Sequence, residues 1–192
     1  MVKLSLNRIR LNIKKVLFFK PWGRCSLFGE PDLTKKQLSE VGDNELFLAQ
    51  INLETFRKFK NTPLLPRTGI LSFFINLSDM TGIVRYNESV HYHKSSCVRV
   101  DFNSDIDINY DVNTEYRIHF MKNKKSKFQS GFLLETPRHE QLNQEDIILF
   151  EYYSKDCSYL SDTPCFLCYV TTKEDLLNRN YNNIRLVIIR DR

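Results

Sequence analysis

Four groupings of polar residues in this 192-residue chain have types and spacings that chemistry can use. His91-Tyr92-His93 sets two imidazoles two residues apart, which on a strand puts both on one face at a separation that can hold zinc. No third and fourth ligand is signalled, and His119 and His139 carry no motif, so the expectation is an exposed polar strand face and no metal. Cys165-x-x-Cys168 is a lone pair, and on a strand residues three apart point to opposite faces, so both read as core thiols. Asp105-x-Asp107-x-Asn109-x-Asp111 begins like a calcium loop. Tyr110 stands where such a loop needs Gly and Tyr116 where it needs Glu, which argues against calcium. The fourth grouping is Gln50, Asn52 and Glu54, which alternate along one strand, with Glu151 matching Gln50 when the two halves of the chain are aligned. Such a row can hydrogen-bond a ligand or partner. The competing reading is a solvent-facing strand side, or buried polar groups satisfied by backbone.

No glycine-rich phosphate loop, Gly-x-Ser-x-Gly elbow or His-Glu-x-x-His stretch occurs, and no catalytic set or cofactor is expected. The run Lys122–Lys127 lacks interleaved aromatics for stacking bases, so it reads as a solvated loop and nucleic acid is not an expected partner.

The elements that must position these residues follow from periodicity. Leu46–Glu54 alternates, with Phe47, Ala49, Ile51 and Leu53 on one face and Leu48, Gln50, Asn52 and Glu54 on the other. Gly69–Leu77 is nearly all apolar, as in a strand covered on both sides. Further strands are expected at Gly82–Tyr86, Cys97–Phe102, Tyr116–Met121, Ile147–Tyr153, Cys165–Val170 and Ile184–Ile189. Thr34 with Gln37, and Thr171 with Glu174, are capping-box signals for two short helices. Laying Leu46–Asn52 on Ile147–Tyr153 needs an offset of 101, and Ile70–Asp79 on Phe166–Asp175 an offset of 96. The fold class is therefore α+β, mainly antiparallel sheet with a few short helices, and the pattern suggests an internal duplication of a strand-linker-strand-helix unit.

Residues 3–19 support two readings. Leu6, Ile9, Ile13, Val16 and Leu17 fall at helical spacing, whereas Ile9, Leu11 and Ile13 alternate. The longer stripe favours a basic N-terminal helical segment over residues 1–24, ahead of a single domain over 25–192. The net charge of +5 divides into +7 over the first 29 residues and −2 over the rest, so the body is nearly neutral. Residues 1–20 are expected to pack on the body with Trp22 partly buried, in preference to lying on an anionic membrane. Five Cys at irregular positions fit a reducing, cytoplasmic setting. No apolar run approaches the roughly 18 residues a membrane helix needs, and Val16–Phe19 is shorter than a secretion signal's apolar core.

The stretch Leu46-Phe47-Leu48-Ala49-Gln50-Ile51-Asn52, followed by Gly69-Ile70-Leu71-Ser72-Phe73-Phe74, resembles the YwqG-like family. Leu27–Leu33 is similar to that family's first turn and Phe166–Tyr181 to its terminal strand and helix, so the likeness runs over about residues 25–192. The family's Trp-Pro near Thr34–Val41 and its Trp-Gly-Asp-x-Gly, here Ser161-Asp162-Thr163-Pro164, are missing. The resemblance implies an α+β fold with internal duplication and no agreed activity. Two functions stand on these grounds: a non-enzymatic protein-interaction module with a protein partner, or a small-ligand binder or enzyme using a polar cleft between two pseudo-repeats.

Overall fold

The computed structural model describes residues 9–15, 22–58, 64–88, 116–122, 132–135, 139–154 and 164–190. In chain order the strands are β1 (Ile9–Lys15), β2 (Ser26–Leu27), β3 (Glu45–Asn52), β4 (Ile70–Asn76), β5 (Thr81–Asn87), β6 (Tyr116–Lys122), β7 (Phe132–Glu135), β8 (Ile147–Ser154), β9 (Cys165–Thr171) and β10 (Arg185–Arg190). Two short helices, α1 (Lys35–Ser39) and α2 (Lys173–Leu177), and 3-10 turns at Leu53–Lys58 and Tyr181–Asn183 complete the described elements. The architecture is mainly antiparallel sheet with few short helices, and no described helix is long and apolar enough to cross a membrane.

Two compact units divide the chain, one of Ile13–Arg57 and Pro66–His119, the other of Met1–Asn12, Lys58–Leu65 and Phe120–Arg192. In the first, β2, β3, β4 and β5 pair in succession, each antiparallel to the next, and β6 pairs with the other side of β2. In the second, β7, β8, β9 and β10 pair in succession, again antiparallel, and Ile9 and Arg10 of β1 pair with β7.

A register shift interrupts the ladder between β3 and β4. Phe47 lies opposite Phe74, but the next partner of Phe73 is Ala49, so Leu48 is an extra residue in the strand. Neighbours on β4 point to opposite faces, so Phe47 and Ala49 do too, and the regular alternation expected from the sequence is broken. Phe47, Gln50 and Asn52 share one face, and Ala49 and Ile51 take the other. All eight residues of β3 are buried, so the strand is covered on both faces. On the Phe47 face, Leu33, Phe47 and Phe74 form a core to which Val41 and Ile83 add cover. The same shift recurs in β8, where Ile148 faces Val170 and Phe150 faces Tyr169, leaving Leu149 extra. Ile148, Cys168, Val170, Ile189 and Leu142 form the core on that side.

Arg85 of β5 closes the edge of the first core. Its guanidinium donates to Glu45 Oε2 at 2.6 Å and Oε1 at 3.0 Å and to the Glu40 carbonyl at 2.8 Å, and lies 4.8 Å from the centre of the Phe74 ring. The start of β4 is set by Gly69, at φ +104°, where a Cβ would come within 2.5 Å of the Tyr86 ring and 2.6 Å of the Asn87 carbonyl oxygen. No other residue type fits there without displacing β5.

Several expectations are corrected. Ile9–Lys15 is a strand, not part of a helix, because its alternation can be satisfied by pairing Ile9 with Leu133 and Arg10 with Phe132. The β3 strand ends at Asn52, so Glu54 lies in the 3-10 segment Leu53–Lys58 instead of continuing the row. Helix α2 is capped by Thr172, whose side chain accepts from Asp175 N, not by Thr171, which belongs to β9. Helix α1 carries the Thr34–Gln37 capping box as expected, and Trp22 is partly buried. Strands β2 and β7 were not anticipated; at two and four residues they are too short to show a period. Residues 16–20, His91 and His93, Cys97–Phe102, Asp105–Asp111, 123–127 and Cys157 lie outside the described residues.

Candidate functional site

Past the bulge in β3, the side chain of Gln50 points at the segment before β2. Its Nε2 donates to the Arg24 carbonyl at 2.8 Å and to Asp32 Oδ2 at 2.9 Å, while its Oε1 accepts from Asp32 N at 2.7 Å. Asp32 Oδ2 also accepts from Gly23 N at 2.7 Å. Asn52 extends this network: its Nδ2 donates to the Gly23 carbonyl, and its Oδ1 accepts from Glu54 N at 2.9 Å. The Asn52 N–H donates to Cys25 Sγ at 3.1 Å. Gln50 is 1% exposed and Asp32 equally buried, so the polar row closes on the chain's own backbone. Glu54, half-buried, joins this network through its backbone N–H, from the first turn of the 3-10 segment Leu53–Lys58.

Glu151 sits at the equivalent place in β8, past the bulge at Leu149, and belongs to a different arrangement. Its Oε2 lies 3.1 Å from His139 Nε2 and 3.7 Å from Cys168 Sγ, the thiol donating to it. The sheet register makes the second contact inevitable, since Glu151 and Cys168 are directly opposed on β8 and β9. His139 comes from the turn before β8, where it packs against the Phe166 ring at a tilt of 51° and a centroid distance of 4.9 Å. Phe166 in turn packs on Tyr153 at 4.6 Å. The aromatic pair fixes the imidazole so that Nε2 faces the carboxylate. Glu151 and Cys168 are fully buried, and only the imidazole is partly exposed, at 14%.

The order of these three groups decides what they can do. A thiol is activated as a nucleophile by an imidazole that takes its proton, with a carboxylate behind the imidazole. Here the carboxylate stands between the thiol and the imidazole, and Cys168 has no exposure to a substrate. The arrangement suits neither acyl transfer nor thiol exchange. It is a buried carboxylate satisfied from two sides, and its three side chains also form a set of metal-ligand types, with one donor atom each within 4.8 Å of one another. Cys25, Cys165 and Cys168 are buried free thiols, as expected for the last two.

Of the four residues singled out in the sequence, Gln50 and Asn52 share one network and Glu151 lies in the other unit with partners of its own. Asp32, His139 and Cys168 were not recognised as their partners. The signal for Cys168 was present, because pairing Ile147–Tyr153 against Cys165–Val170 as a hairpin brings position 151 toward position 168.

A family model described as Domain of unknown function (DUF1963) matches residues 26–164. The chain belongs to this family. The matched span contains Gln50, Asn52, His139 and Glu151 and stops just before β9, which supplies Cys168. No curated protein matches the chain.

Proposed function

We propose that this member of the family is a non-enzymatic protein-interaction module of YwqG-like type, cytoplasmic, assembled from two copies of one four-strand meander. The observation that carries the reading is the inward commitment of the polar rows. Gln50 and Asn52 are engaged by Asp32, Arg24 and Gly23 of the same chain, and Glu151 by His139 and Cys168, so these groups serve the fold before they can serve a substrate. The duplication is supported by the matching registers. Offsets of 101 and 96 convert the pairs Phe47–Phe74, Ala49–Phe73 and Gln50–Ser72 into Ile148–Val170, Phe150–Tyr169 and Glu151–Cys168, bulge included. The buried free thiols support a reducing compartment. The near-neutral body after residue 29 supports a protein partner over nucleic acid.

The test is affinity capture with the full chain in extract of its native host, followed by reconstitution of each captured protein from purified components. A stoichiometric complex by light scattering supports the module. Turnover of a small molecule by the purified chain, abolished by Gln50→Leu or Glu151→Gln in a protein that still folds, overturns it.

A further inference from the structure

We propose that His139, Glu151 and Cys168 form a binding site for a divalent transition-metal ion of the zinc type. The donor set is an imidazole nitrogen, a carboxylate oxygen and a thiol sulfur, all within 4.8 Å of one another. Around zinc, with bonds of about 2.0 Å to nitrogen and oxygen and about 2.3 Å to sulfur, tetrahedral ligand atoms lie roughly 3.3–3.6 Å apart. The observed separations of 3.1 Å between His139 Nε2 and Glu151 Oε2 and 3.7 Å between Glu151 Oε2 and Cys168 Sγ bracket that range. The third separation, between His139 and Cys168, is within 4.8 Å, so these two side chains close on the ion as it binds.

The charge balance selects the class of ion. A divalent cation with one carboxylate and one thiolate makes a neutral complex, which a fully buried position tolerates far better than a net charge. Thiolate and imidazole are poor ligands for calcium and magnesium and good ones for zinc, cobalt and their neighbours. On binding, the Cys168 thiol gives up its proton to solvent and the sulfur takes the metal in its place. His139 coordinates as neutral imidazole through Nε2. Its partial exposure marks the side from which the ion enters and from which a water completes the tetrahedron. The packing of His139 against Phe166 holds the ring in place before the metal arrives. The first unit offers a contrast, since the positions matching Glu151 and Cys168 are Gln50 and Ser72, neither of them a zinc ligand of ordinary strength.

The experiment titrates cobalt(II) into the full chain after removal of metals with a chelator under reducing conditions. The expected result is one cobalt per chain with a thiolate-to-cobalt charge-transfer band and tetrahedral visible bands, displaced by zinc. Cys168→Ser abolishes the charge-transfer band, whereas Cys25→Ser and Cys165→Ser retain it. His139→Gln keeps a hydrogen-bonding side chain beside Glu151 and, once its fold is verified by circular dichroism, binds cobalt more weakly by at least the roughly 10–100-fold that loss of an outer-shell partner costs. Absence of the band in the wild-type chain overturns the site, as does a band that survives Cys168→Ser or a cobalt affinity left unchanged by His139→Gln. Because the readout is metal binding alone, its failure leaves the interaction-module reading untouched.

Discussion

Two residues past the extra leucine, β3 carries Gln50 opposite Ser72 and β8 carries Glu151 opposite Cys168. The backbone solution is the same in both hairpins, and the side-chain solution differs. Gln50 is an amide that donates and accepts, so it bridges a carboxylate and two backbone groups and leaves nothing for a ligand. Glu151 is an acceptor alone, so it gathers a thiol and an imidazole, groups that can exchange protons for a metal. A bulge thus provides a sheltered polar position, and the residue placed there decides between a structural clasp and a reactive cluster.

The largest effect expected lies at the rim of the first hairpin. Arg85→Ala takes from Glu45, whose side chain is only 8% exposed, its cationic partner, leaving it the Gly42 N–H, and removes the cation over Phe74. Loss of one partner from a buried pair costs about 3–5 kcal/mol, read as a lower urea midpoint at unchanged slope. Next come the two positions that define the comparison. Gln50→Leu leaves the Asp32 carboxylate and the Arg24 carbonyl short of donors and should lower stability by about 2–3 kcal/mol. Glu151→Gln, in chelator-treated protein, keeps the shape and an acceptor oxygen and should cost about 1 kcal/mol. A reversed order in urea titrations would mean that the carboxylate cluster, and not the amide clasp, is the stronger structural element.

Smaller effects sharpen the contrast between the helices. Thr34→Ala removes a complete capping box and should cost about 1 kcal/mol, more than Thr172→Ala at the exposed cap of α2. Asp175 sets the smallest test. Hydrogen bonds from Thr172, then Asn183 and Asn180, hold its carboxyl below the ordinary aspartate value of 3.8. The stabilisation from its ionised form is therefore full above that value and lost as pH falls through the lower folded one. The stability difference between wild type and Asp175→Asn should be constant from neutral pH down to the ordinary aspartate value of 3.8 and shrink as pH falls further through the lower folded value, measured by thermal midpoints across an acid series.

Much of the strand content was legible because Leu46–Asn52, Ile70–Ile75 and Cys165–Val170 are runs of apolar residues too short for buried helices and rich in β-formers. The Thr34–Gln37 cap was legible because its chemistry is local. What escaped was non-local. The first strand carries both helical and alternating periods, and only its pairing with β7 decides between them. Leu48 and Leu149 look like ordinary members of their strands, since a bulge is a relation to a neighbour and not a property of one residue. Gln50, Asn52 and Glu151 could be picked out as polar residues in apolar strands. Their partners Asp32 and His139 come from turns whose approach to those strands no spacing encodes.

Leu48 also has a bearing on how this family can tolerate change. It acts as a phase marker: every residue after it in β3 is read one step out of phase with every residue before it. Removing Leu48 alone would restore a simple two-residue alternation and, with the β4 pairing kept, leave Gln50 and Asn52 on the Phe47 face and Ala49 and Ile51 on the other, whereas removing Ile51 would carry Asn52 to the opposite face, away from Gly23. Substitution by another apolar residue leaves the phase intact. Length is therefore held more tightly after the bulge than at it, and deletion of Ile51 should be worse tolerated than deletion of Leu48.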